Sequence, residues 1–214
     1  MVARRKLLGG WTLAVPAILA FSAGVAFAPP DVFPTAGTVG TQITLNGSGF
    51  GAAGGKATLV DASSGATTTL KVVTWSDAQV VATIPKMPKS GFMDYRVSFT
   101  PKGGSYIRMT QPFTFSQMEL TAVTPETGAA GATVTIDGNY FGLKPGKVAL
   151  RWPNPKKPSF LAKSCKVTSW TMDPTTGVSQ AIVVVPKMAP GSYTLDVDNG
   201  TSNWGWSNDF VVTP

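Results

Sequence analysis

The 214-residue chain contains no histidine. That excludes a Ser-His-Asp or Cys-His nucleophile system and every histidine-ligated metal site. It contains one cysteine, Cys165, so no intramolecular disulfide can form and stability must come from packed cores. Cys165 lies in the alternating Cys165-Lys166-Val167, which reads as a buried small hydrophobe; the alternative is a free thiol that links two chains. Acids are sparse, 11 Asp and Glu together, and scattered over turn-like segments. A glycosidase needs two opposed carboxylates, so the expectation is a protein that is not an enzyme and uses no cofactor. Helical periodicity is also missing: no segment sustains it over ten residues.

What is present begins with an apolar leader. Arg4, Arg5 and Lys6 precede an apolar run from Leu7 to Phe27, and Ala26-Phe27-Ala28 has the A-x-A form of a cleavage site. Residues 1–28 therefore read as a secretory signal peptide. The run is long enough that an uncleaved N-terminal anchor is the alternative, and the paired arginines also resemble a twin-arginine signal. The expected location is exported: periplasmic, cell-surface or extracellular, with membrane attachment only if the leader is retained. Removing Arg4, Arg5 and Lys6 lowers the formal charge from +7 to +4. That is no nucleic-acid footprint.

The remainder is rich in Thr, Val, Gly and Pro, in short alternating runs broken by Gly, Pro, Asn and Asp. This pattern predicts an all-β sandwich or barrel. The chain also repeats itself. Ile43-Thr-Leu-Asn-Gly-Ser-Gly-Phe-Gly51 returns 91 positions later as Val134-Thr-Ile-Asp-Gly-Asn-Tyr-Phe-Gly142. At the same offset Gly37 and Gly40 match Gly128 and Gly131. Later, Val72-x-x-Trp75 matches Val167-x-x-Trp170, and Ile84-Pro-Lys-Met87 matches Val185-Pro-Lys-Met188. Two copies of a domain of about 90 residues follow, expected at 29–116 and 117–214. The seam, Gln117 to Ala122, has no Gly or Pro and reads as a short extended linker holding the domains in a fixed relation.

Within the repeat, period two turns Val134 and Ile136, like Ile43 and Leu45, toward a core. Asp137-Gly138, like Asn46-Gly47, then reads as a strand-ending turn. Phe141, like Phe50, is expected to fold back and plug the end of a sandwich, and Gly142 or Gly51 releases the chain. The motif G-x-x-G-x-x-V-x-I-x-G-x-x-F-G, with a later Pro186, Gly191, Tyr193 and Val197, resembles the IPT/TIG domain. The first copy carries Gly37, Gly40, Ile43, Leu45, Gly47, Phe50, Gly51, Pro85, Gly91 and Val97, and departs near Phe92-Met-Asp-Tyr95, where the Gly-to-Tyr spacing is stretched. The resemblance implies two immunoglobulin-like β-sandwiches. Similar domains occur in cell-surface receptors, transcription factors, starch-acting enzymes and secreted bacterial proteins, so it implies architecture more than activity.

Three features stand outside the scaffold. Lys144, Lys147, Arg151, Lys156, Lys157, Lys163 and Lys166 fall in a stretch with no acid between Asp137 and Asp173. Three prolines, Pro153, Pro155 and Pro158, should keep Trp152 to Pro158 out of regular pairing as an exposed extended loop. With Trp152 and Phe160 interleaved, it is a candidate patch for an acidic partner, against the plainer reading of a solubilising loop. Asp196, Asp198 and Asn199 form a weak calcium candidate without EF-hand spacing, more simply a polar turn. Trp204 and Trp206 would share a strand face as a sugar-stacking platform unless they are core. Trp75 and Trp170 recur in both copies and read as structural.

Two functions are therefore expected in competition. One is an exported, non-enzymatic adhesion, assembly or scaffold module of the cell envelope, partnered by an envelope protein, an anionic glycan or a second copy. The other is a carbohydrate-binding module using Trp152, Trp204 and Trp206 with basic residues.

Overall fold

A computed structural model describes residues 31–52, 54–156, 159–200 and 204–214, with the backbone alone at 110 and 204–208. The leader 1–28 lies outside the described residues. Among those described there is no helix, and hence none long and apolar enough to cross a membrane.

The first domain contains β1 (Asp31–Phe33), β2 (Ala36–Gly37), β3 (Gln42–Asn46), β4 (Lys56–Asp61), β5 (Thr67–Thr69), β6 (Lys71–Trp75), β7 (Gln79–Thr83), β8 (Asp94–Thr100) and β9 (Ile107–Phe115). The second contains β10 (Glu119–Thr124), β11 (Thr127–Gly128), β12 (Thr133–Asn139), β13 (Lys147–Pro153), β14 (Phe160–Ser164), β15 (Lys166–Met172), β16 (Val178–Val184), β17 (Gly191–Asp198) and β18 (Trp204–Val212). Strand order is the same in both. Sheets β1-β3-β7-β6 and β2-β9-β8-β4-β5 make the first sandwich, and β10-β12-β16-β15 and β11-β18-β17-β13-β14 the second. The pairs β2–β9 and β11–β18 are parallel; the others are antiparallel. These are two tandem immunoglobulin-like sandwiches, all-β throughout.

Alternation places the core as the sequence predicts. Ile43, Leu45 and Ile136 are fully buried and Val134 nearly so. Each sandwich has its own cluster, one spanning Val32 to Phe115 and the other Met118 to Val212. Burial of this apolar surface is the main driving force, at about 25 cal/mol per Å² removed from water.

The repeated sentence folds partly otherwise than expected. Phe50 and Phe141 do fold into the cores. The Asn-Gly and Asp-Gly pairs, however, are not left-handed turns. Strand β12 runs through Gly138, which pairs with Leu120 and Ser179. Its missing side chain has another cause: a Cβ there would collide with the Glu119 carbonyl and come within 2.6 Å of the Phe141 ring. The left-handed residues come later, at Gly49 and Gly51 and at Tyr140 and Gly142, with Tyr140 at φ 61°. Position 140 thus keeps the conformation of Gly49 at a cost of about 1 kcal/mol.

The stretched spacing at Tyr95 proves conservative in geometry. Tyr95 and Tyr193 each donate the phenol O–H to a carbonyl four residues upstream, Gly91 and Ala189, both at 2.8 Å. The seam differs from the expected linker. Strand β10 already belongs to the second sandwich, pairing with β12, and Met118 is buried in its core. Only Ser116, Gln117 and Met118 separate β9 from β10.

Candidate functional site

The basic stretch does not form the single loop its prolines suggest. Strand β13 continues through Trp152 and Pro153, which pair with Leu161 and Phe160 of β14. Pro153 is tolerated because it ends its strand. A tight connection closes the hairpin: Asn154 N–H donates to the Ser159 carbonyl at 2.8 Å, and Lys156 N–H to Asn154 Oδ1 at 3.0 Å. Lys157 lies outside the described residues. In the first copy the position of Trp152 holds Asp61, whose carboxylate accepts from Ser63, Ser64 and Ser90 and caps a shorter hairpin. Strand β5 is accordingly three residues, and β14 five.

Strand β14 is the edge of its sheet and all five of its residues are exposed. Phe160 is 62 % exposed and Leu161 40 %. Three neighbouring strands bring Asp196 of β17, Arg151 of β13 and Phe160 of β14 side by side on the outer face, because diagonal cross-strand neighbours share a face. Arg151 donates to Asp196 Oδ2 at 3.3 Å while its guanidinium carbon lies 5.1 Å from the Phe160 ring centroid. Asp196 is buried, and its Oδ1 has no hydrogen-bond partner among the described residues. Burial pushes its carboxyl above the ordinary range; Arg151 opposes this and Asp198 adds to it. The result is an arginine placed between a buried acid and an exposed ring.

Other candidates are dispersed. Trp152 is on the opposite side of β13 from Arg151, half-buried, with its ring edge-on to Tyr193 at 5.7 Å. It does not form one platform with Phe160. Lys163 is engaged, donating to the Lys187 carbonyl at 2.7 Å. Lys144 faces another site altogether, the cleft between the domains. Of the calcium candidates, Asp196 pairs with Arg151 and Asp198 accepts from Gly200 N–H at 2.7 Å, and the described residues hold no cluster of three or more carboxylates that could take a metal ion. Trp204 and Trp206 stand opposite Asp198 and Asp196 in the β17–β18 register, and their side chains lie outside the described residues. Cys165 is buried, and burial pushes its thiol up to about 11, so it is an inert core residue.

The recurring tryptophans are structural. Trp75 Nε1 donates to the carbonyls of Phe50 and Gly51, and Trp170 Nε1 to that of Gly142 at 2.8 Å. Phe141 and Trp170 pack at 5.4 Å. Gly55 and Gly146 are required beside them, since a Cβ would meet the indole at 2.8 and 2.7 Å.

Glycines, plug and tryptophan together make one signature, and the IPT/TIG domain model matches it twice, at residues 30–116 and 118–213. The chain belongs to the IPT/TIG domain family. No curated protein sequence matches it. Solved structures resemble this tandem IPT/TIG chain distantly. The xyloglucan-locus protein SGBP-B of Bacteroides uniformis is 13 % identical with a TM-score of 0.39, over 87 % of this chain and 49 % of that one. The SGBP-B of a Bacteroides ovatus mixed-linkage glucan utilization locus, solved with a heptasaccharide, is 16 % identical with a TM-score of 0.35, over 85 % and 43 %. The extracellular region of plexin A4 is 12 % identical with a TM-score of 0.39, over 84 % and 16 %. The chain spans less than half the length of each.

Sequence reading missed the roles of two residues. Arg151 was one basic residue among seven, and only the β17–β13–β14 register shows that it joins Asp196 to Phe160. Leu143 stands where the first copy, 91 positions earlier, has Ala52. That asymmetry was the available signal.

Proposed function

We propose that this tandem IPT/TIG chain is an exported, non-enzymatic adhesion or assembly module of the cell envelope. Residues 1–28 act as its export signal, with 29–116 and 117–214 as its two domains. Its partner is an envelope protein, an anionic glycan or a second copy of the chain. One observation carries this reading: the exposed edge strand β14, with Phe160 and Leu161 open to solvent beside the Arg151 guanidinium. An open edge offers unpaired backbone donors and acceptors to an incoming strand, and an exposed ring next to a cation supplies an anchor.

Sedimentation velocity of the purified chain, with retention assays on isolated envelope proteins and polysaccharides, tests the proposal. Self-association or retention that is lost in Phe160→Ala and Leu161→Lys is expected. A monomer retained by no envelope component overturns it.

A second reading, a carbohydrate-binding module, is favoured by the stacking of Arg151 on the exposed Phe160 ring, a surface that accepts an acidic sugar. It differs in one outcome: retention would be confined to glycans, and Trp204→Ala or Trp206→Ala would weaken it with folding intact.

A further inference from the structure

The two sandwiches meet through unlike parts of like domains. Gln42 N–H of the first donates to the Pro174 carbonyl of the second at 2.8 Å. The Leu143 side chain leans on Gly40, where a Cβ would come within 2.8 Å of Leu143 Cγ. Between them is a cleft of about 790 Å³. This falls within the range of small-molecule sites, which are mostly apolar with a few placed polar groups.

Its walls have a definite chemistry. The first domain contributes Pro85, Lys86 and Met87; the second contributes Leu143, Lys144 and Pro145. Leu143 is 49 % exposed, and both lysines are exposed. No carboxylate lines the cleft among the described residues. Among the described residues its one aromatic, Phe141, is buried in the core, so they offer no ring face for a sugar to stack on. Aliphatic walls bind aliphatic chains. Lysine is a compact point charge that accepts a carboxylate or phosphate without demanding a planar fork. The same Pro-Lys-Met segment in the second copy, Pro186 to Met188, has its backbone carbonyl at Lys187 covered by Lys163.

We infer that the interdomain cleft binds a single-chain anionic amphiphile, with its aliphatic tail against Met87, Leu143 and Pro145 and its head between Lys86 and Lys144. The charge of the walls selects an anion, and their aliphatic character selects a tail over a sugar ring. A ligand seated there touches both domains, so it also fixes the angle between them. The site is separate from hairpin β13–β14.

The test is calorimetric titration of the whole chain, as recovered from cells, with dodecanoate below its micelle-forming concentration. Decyl maltoside serves as a neutral-headed control, and acetate and inorganic phosphate as heads without tails. One dodecanoate per chain is expected, bound about tenfold more weakly by the Lys86→Gln/Lys144→Gln double variant and at raised salt. The heads alone and the maltoside should bind far more weakly. Leu143→Asn gives an independent variant on the tail side if the double variant fails to fold. Phe160→Ala should bind dodecanoate normally, which separates this result from failure of the hairpin reading. Equal binding of dodecanoate and maltoside overturns the inference. So does multiple stoichiometry insensitive to the variants, or binding of an acidic peptide but not of dodecanoate.

Discussion

Trp170 donates its indole N–H to the carbonyl of Gly142 at 2.8 Å, tying strand β15 to the residue that follows the Phe141 plug. Trp75 makes the same link to Gly51 at 3.0 Å. The motif is therefore closed by a residue 24 positions away in the first domain and 28 in the second, and each domain is locked by the same clasp.

Trp170→Phe keeps one aromatic ring but removes the donor and the second ring of the indole. It should cost about 2 kcal/mol, and Trp170→Ala about 3–5 kcal/mol. Urea denaturation checks both, with the midpoint falling in that order.

Gly138→Ala forces a methyl into the Glu119 carbonyl and the Phe141 ring. A loss of about 3 kcal/mol is expected. Gly54→Ala, with open space around it and no left-handed backbone, should leave the same denaturation curve unchanged.

Arg151→Ala leaves the Asp196 carboxylate buried without the ion pair that Arg151 supplies. A destabilisation of about 2 kcal/mol is expected at neutral pH. The Asp196 carboxyl is already raised by burial, and losing Arg151 raises it further. The folded state then binds the proton more tightly than the unfolded one, so lowering the pH favours folding of this variant. Its deficit relative to the parent should shrink as pH falls toward 4, read from thermal midpoints across pH 8 to 4.

Asp61 behaves in the opposite sense. Hydroxyls of Ser64, then Ser90 and Ser63, hold its carboxyl far below the ordinary range. Its contribution is complete above the unfolded pKa near about 4 and is lost as pH falls through the folded value. Ser64→Ala brings the folded carboxyl nearer its unfolded value, so it should lower stability at pH 5 and above while leaving less to lose in acid; urea midpoints of variant and parent should converge between pH 5 and 2.

The sandwiches were legible because periodicity, glycines and plug each obey local rules. Val134 and Ile136 face the core by period two alone, and the 91-residue offset revealed the duplication. Gly138 was misread because a glycine needed for close approach looks, in sequence, like one needed for a turn. The hairpin was misread because prolines disfavour pairing only where an N–H is needed, and Pro153 ends its strand. The Asp196–Arg151–Phe160 row was invisible, since its members are brought together by a three-strand register spanning 46 positions. Leu143 against Gly40 depends on how two domains dock, which no local pattern encodes.

The Leu143 contact also bears on how far such a chain can grow. The second domain still carries the receiving side of the joint, Gly131 with Pro186 to Met188. The first domain lacks the inserting side, with Ala52 and Ala53 where the second has Leu143 and Lys144. A head-to-tail stack of whole chains through this joint would find nothing to insert at each new boundary. The joint is therefore directional: it forms where the second domain follows the first, and the first domain, with Ala52 in place of Leu143, does not offer the inserting side.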